Sequence, residues 1–107
     1  MNADDCIVII TTCPNAEQAE KLSGMLIKQQ LAACVQASDI TSTYRWQGVV
    51  ETAREVRLMI KAKRADYEAI EAFIRVTHPY ENPEVLALPV TAGSRLYLEW
   101  IDVETRR

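Results

Sequence analysis

The stretch Glu55-Val56-Arg57-Leu58-Met59-Ile60-Lys61-Ala62-Lys63 sets Val56, Leu58, Ile60 and Ala62 against Arg57, Lys61 and Lys63. That period of two is what a strand with one dry face imposes on its side chains. Upstream, Ala33 to Trp46 keeps the same period, with Ile40, Ser42, Tyr44 and Trp46 on one side and Asp39, Thr41, Thr43 and Arg45 on the other. Gln47-Gly48 supplies the turn between the runs, so together they read as one long hairpin.

Outside the hairpin the pattern repeats on both flanks. Before it, Cys6-Ile7-Val8-Ile9-Ile10-Thr11-Thr12 is a continuous β-branched run, the mark of a strand covered on both faces. Pro14-Asn15 breaks that run. Asn15 followed by Gln18 resembles a capping box, and a helix to about Gln30 is predicted, with Ala19, Leu22, Met25 and Leu26 on its dry stripe. Gly24 inside it is expected to allow close packing on the sheet. After the hairpin, Asp66 to Thr77 returns to helical spacing through Ile70, Phe73 and Ile74, and His78-Pro79 ends it. Glu84 to Thr91 reads as a strand that is apolar on both parities. Ser94 is the expected N-cap of a last helix carrying Leu96, Tyr97, Trp100, Ile101 and Val103, with Arg106-Arg107 at its negative end.

The order β-α-β-β-α-β predicts an α+β, ferredoxin-like antiparallel sheet with two helices on one face and an extra C-terminal helix, all within a single domain over 1–107. Two helices shield one face only. The apolar second face of the outer strands then needs the C-terminal helix or a neighbouring subunit, and the long hairpin leaves backbone that shorter strands cannot pair. A homo-oligomer is expected on both grounds.

Composition narrows the function classes. A net charge of −3 with both signs interleaved gives no basic stripe, so nucleic acid is not an expected partner. The acidic opening Met1-Asn2-Ala3-Asp4-Asp5 and the lack of a long apolar run predict a cytoplasmic protein with no membrane partner. Cys6, Cys13 and Cys34 are odd in number and lack CxxC spacing, which implies free thiols, with Cys34 a small core residue. The scattered glycines form no phosphate loop, and neither His78 with Glu81 or Glu84 nor Cys13 with His78 has an identifiable orienting third group. An enzyme is not expected, and no organic cofactor is implied.

The chemistry concentrates in Thr77 to Val90, which holds the only histidine and three of the four prolines. Residues before proline are pushed out of the α region, so His78-Pro79 and Asn82-Pro83 force a rigid loop that gathers an imidazole, a phenol and two carboxylates. In series with Thr12-Cys13-Pro14, Leu31-Ala32-Ala33-Cys34-Val35, Ser42-Thr43-Tyr44-Arg45-Trp46-Gln47-Gly48, Glu55-Val56, Ile60-Lys61 and Leu88-Pro89-Val90, the loop His78-Pro79-Tyr80-Glu81-Asn82-Pro83-Glu84 resembles the CutA divalent-cation tolerance family over nearly the whole chain. The resemblance implies a compact homotrimer akin to the PII signalling proteins, with intersubunit clefts and a link to copper and other divalent cations. Copper-binding members of that family use a cysteine near the end of the first strand and two histidines before Pro-Tyr. Here those positions are Thr11, Thr77 and His78.

Two site readings follow. In the first, His78 anchors copper or another divalent cation and Cys13, two residues beyond Thr11 and so on the same strand face, supplies a thiolate. Against it, His78 is equally suited to hydrogen-bond a neighbouring carbonyl or carboxylate, and nothing basic adjoins Cys13 to lower its pKa. In the second, Trp46, Lys61, Tyr80 and Glu84 line an intersubunit cleft for a small anionic or aromatic ligand, with Tyr44 beside Trp46. The same aromatic residues equally suit oligomer anchors. Glu81 is read as structural, and Asp39 and Glu55 as solvated carboxylates.

Overall fold

A computed structural model describes all 107 residues. The strands are β1 (Cys6–Cys13), β2 (Cys34–Trp46), β3 (Val49–Lys63) and β4 (Leu86–Pro89), and the helices are α1 (Ala16–Lys28), α2 (Tyr67–Thr77) and α3 (Arg95–Glu104). The sheet runs β2-β3-β1-β4 with every pairing antiparallel, the ferredoxin-like arrangement.

Register assigns the two faces. Ile9 stands opposite Ile60, Thr11 opposite Leu58 and Cys13 opposite Val56. These side chains, with Ile7 and Ala62, point to the layer of α1 and α2, where Ala19, Leu22, Leu26, Ile70 and Ile74 close a core of 13 buried residues. Asn15 caps α1 by accepting from the Gln18 amide at 2.9 Å, and Ser94 caps α3 by accepting from the Tyr97 amide at 3.3 Å. Each cap satisfies an amide that the first helical turn leaves without a partner.

The second face is covered at one end only. There α3 lays Leu98 and Ile101 on Cys6, while Lys63 pairs with Asp102 at 3.1 Å. The helix does not use the whole stripe expected of it: Leu96 is 69% exposed, and Trp100 and Val103 also face outward. Gly24 is exposed with nothing near it, so it serves no close approach to the sheet. The last strand is shorter than Glu84–Thr91, because Pro83 and Pro89 have no amide to give a ladder, and Pro89 sits at the free edge where that is tolerated.

Beyond the Cys13–Val56 pair the sheet loses β1, and β2 and β3 continue as a two-stranded arm from Ile40 opposite Glu55 to Trp46 opposite Val49. The molecule is 45 Å long and only 26 by 22 Å across. Gln47 and Gly48 close the arm with positive φ values of 51° and 81°, the two-residue turn whose twist matches its strands. Tyr44, Trp46, Val49 and Val50 are all exposed on it.

Candidate functional site

The site begins where α2 stops. His78 is extended (φ −80°, ψ 140°) as its following proline requires, and this turns the ring back toward the end of β1. Nε2 lies 2.6 Å from the Thr12 carbonyl oxygen, and Nδ1 lies 3.0 Å from the Tyr80 amide nitrogen. A carbonyl can only accept and an amide N–H can only donate. The ring is therefore the neutral Nε2–H tautomer, with Nδ1 already accepting.

Tyr80 continues the chain of contacts. Its ring lies 4.7 Å from that of His78 at 49°, and its hydroxyl donates to Glu55 Oε2 at 2.8 Å. Burial pushes the phenol well above its usual range, and the adjacent Glu55 carboxylate pushes it further, so the proton stays on Tyr80. Glu55 is the residue at which β3 parts from β1. The loop thus bolts the root of the arm to the end of the central strand.

Neither metal-ligand candidate is available as arranged. Period two does put Cys13 on the face of Thr11, but that face is the one α1 and α2 cover, and Cys13 is 1% exposed. Burial, then the Glu55 charge, pushes its thiol pKa up, away from the thiolate a metal requires. Both nitrogens of His78 are committed to the backbone. The residues do not fit a bound copper ion, and no group of three or more His, Cys, Asp or Glu side chains is arranged to hold a metal.

The cleft candidates divide. Trp46, Tyr80 and Glu84 line one open concavity of about 750 Å³ between the arm and the loop, together with Ser42, Tyr44, Glu55 and Glu81. Within one chain Lys61 does not line it. Lys61 stands opposite Cys34, twelve residues up β3 from Val49, about 40 Å at the usual strand rise of roughly 3.3 Å per residue. There its Nζ donates to the Tyr97 hydroxyl of α3 at 3.0 Å, a bond that raises its pKa and keeps it charged. Glu55, expected as a solvated carboxylate, lines the concavity and accepts the Tyr80 hydroxyl. The signal was present: a two-residue turn at Gln47-Gly48 fixes the register, which sets Glu55 opposite Ile40 on the face of Ser42, Tyr44 and Trp46.

A family model described as CutA1 divalent ion tolerance protein matches residues 7–104. The chain is 41% identical over 101 residues to the chloroplastic CutA protein of Arabidopsis thaliana, covering 94% of this chain and 56% of that protein. It is 36% identical over 99 residues to the divalent-cation tolerance protein CutA of Thermus thermophilus, covering 92% and 96%. The chain thus spans about half the length of the plant relative and nearly all of the bacterial one. Among solved structures, CutA of Xylella fastidiosa superposes with a TM-score of 0.92 at 40% identity, covering 95% of this chain and 99% of that one. The periplasmic divalent cation tolerance protein CutA of Archaeoglobus fulgidus gives 0.93 at 30% identity, covering 94% and 99%. Their names place relatives in the chloroplast and in the periplasm, so the compartment varies across these relatives. No helix of this chain is long and apolar enough to cross a membrane.

Proposed function

The chain belongs to the CutA1 divalent ion tolerance family, and from that premise we propose that it serves the response to divalent cations as a non-enzymatic binding protein. Its ligand cleft, in this reading, is the concavity between the arm and the His78–Glu84 loop, assembled in a homotrimer. One observation carries the reading: Tyr44 and Trp46 stand exposed on the arm in the same concavity as Tyr80, Glu55, Glu81 and Glu84. Large aromatic side chains are seldom left in water without an occupant or a neighbour to cover them.

A second copy is supported by the second sheet face, where Leu86 is 57% and Leu88 43% exposed, and by the arm, since two-stranded ribbons are marginal alone. The number three rests on the family resemblance. Sedimentation at micromolar concentration is expected to give a trimer, and a monomer removes the assembly. A non-enzymatic role is supported by the same hydrogen bonds that fix the loop, since His78 has no lone pair left to act as a base for Cys13. Cytoplasmic residence belongs to the same proposal: the three free cysteines suit a reducing compartment, and cell fractionation that finds the chain in the periplasm removes it.

Copper or another divalent cation is the family's implied ligand, yet His78 and Cys13 as folded do not form its site. Titrating Cu²⁺ into wild type, His78→Ala and Cys13→Ser is expected to give equal binding in all three. A loss in both variants would restore the pair as ligands and require the loop to open first.

A further inference from the structure

Beyond the end of α3, Arg107 makes a contact that neither site reading uses. Its guanidinium forks onto Asp66, Nη2 to Oδ1 and Nη1 to Oδ2 at 3.2 Å, and the same Nη1 donates to the Gln30 carbonyl at 2.8 Å. Asp66 directly precedes α2 and Gln30 follows α1. One side chain therefore ties the helix on the second face to the ends of both helices on the other. These bonds all lie within one chain, so they do not depend on what a second copy covers.

Asp66 is committed to this partner. Its side chain is only 12% exposed, it joins no other ion pair, and although it stands at the N-cap of α2 it makes no capping bond. A planar fork on a carboxylate is geometry that a lysine could not repeat. By contrast, the apolar hold on α3 is thin: three buried residues, Cys6, Leu98 and Ile101, against 13 in the main core. An element with few buried apolar contacts opens before the rest of its fold.

We propose that Arg107 and Asp66 form a latch that holds α3 as a lid over the Cys6 end of the second face, so that breaking the pair frees α3 without unfolding the sheet. The lid also carries Tyr97, and the latch thus governs, from the opposite layer, whether Lys61 keeps its hydrogen-bond partner.

Iodoacetamide labelling of the assembled protein, read cysteine by cysteine by peptide mass spectrometry, tests this with reporters the chain already holds. Cys34 is partly exposed and checks the reagent, Cys13 lies in the main core, and Cys6 lies under the lid. Asp66→Asn and Arg107→Gln should each speed Cys6 labelling about three- to tenfold and leave Cys13 unchanged. The double variant should label Cys6 no faster than Arg107→Gln alone, since both changes break the same pair. Cys6 and Cys13 speeding up together would mean a general loss of stability and overturn the latch. Unchanged Cys6 labelling overturns it as well, leaving Leu98 and Ile101 to hold α3 unaided, and so do effects that multiply in the double variant. An increase that vanishes at high protein concentration would trace the exposure of Cys6 to the departure of a neighbouring copy, and the latch falls while the proposed assembly stands.

Discussion

At the Lys63 end of β3, the face turned away from α1 and α2 meets α3, which buries Cys6 beneath Leu98 and Ile101 and ties Lys61 to Tyr97 and Lys63 to Asp102. At the Val49 end the same face of the same strand carries Glu51, Ala53 and Glu55 opposite Tyr44, Ser42 and Ile40, with no helix over it and no third strand beside it. One strand therefore passes from a closed sandwich to an open ribbon without a break in its alternation. The period tells which side chains share a face. What covers that face is decided by elements far away in the chain, and this is why one end is closed by α3 and the other is left open.

The sharpest way to break this contrast is to remove matched apolar groups from the two ends. Ile60 is fully buried between the sheet and its two helices, so Ile60→Ala should cost about 2–5 kcal/mol in urea unfolding, by lost burial and by the cavity left behind. Val50, 63% exposed on the arm, should cost about 0.5 kcal/mol or less as Val50→Ala. Comparable losses at the two positions would show that a partner buries the arm during the measurement, and the difference would then depend on protein concentration.

A smaller effect is expected where α3 covers the second face. Leu98 is 6% exposed, but its cluster has only three buried members, and its neighbours Met1, Ala3, Ala33 and Val90 are partly exposed and can move in. Leu98→Ala should therefore fall near the low end of the range for core truncations, about 2 kcal/mol. A loss under about 0.5 kcal/mol, the size of an ordinary surface change, would mean that α3 merely rests on the sheet.

Much of this architecture was written in local pattern. Val56, Leu58, Ile60 and Ala62 announced the dry face because the pleat of a strand is local geometry, and Asn15, Ser94 and His78-Pro79 marked helix ends because capping and proline act within a few residues. The stripe of α3 was less legible: Leu96, Tyr97, Leu98, Trp100, Ile101 and Val103 offer too many apolar positions for periodicity to choose among, and the sheet chose Leu98 and Ile101. The loop's rigidity followed from its prolines, but its partners did not, since the Thr12 carbonyl is 66 residues from His78 and Glu55 is 25 from Tyr80. Lys61 is a different case: it shares the face of Trp46 but stands far along β3 from it, so one chain alone does not bring the two together, and what a second copy places at the cleft is not written in local pattern.

The smallest expected effect tests the joint between the two ends. Tyr80→Phe deletes the hydroxyl that Glu55 accepts and should cost about 1 kcal/mol at neutral pH, the usual net worth of one such bond. Its pH dependence carries more information than its size. In the unfolded chain Tyr80 ionises near its ordinary value of 10.0, whereas in the folded protein burial and the Glu55 carboxylate hold the proton on well beyond that. A raised folded-state value means that the stabilisation is complete below pH 10.0 and is lost as pH rises above it, because only the unfolded chain gains by releasing the proton. Buried Cys6 and Cys13, whose values are also raised by burial, add an alkaline loss common to both proteins. The difference between wild type and Tyr80→Phe should therefore stay constant from pH 7 to about 9 and shrink above pH 10, as wild type loses what the phenylalanine never had. A difference that persists unchanged at high pH would mean that Tyr80 ionises as freely folded as unfolded. The phenol would then be solvated, and the loop would not fasten the arm to β1.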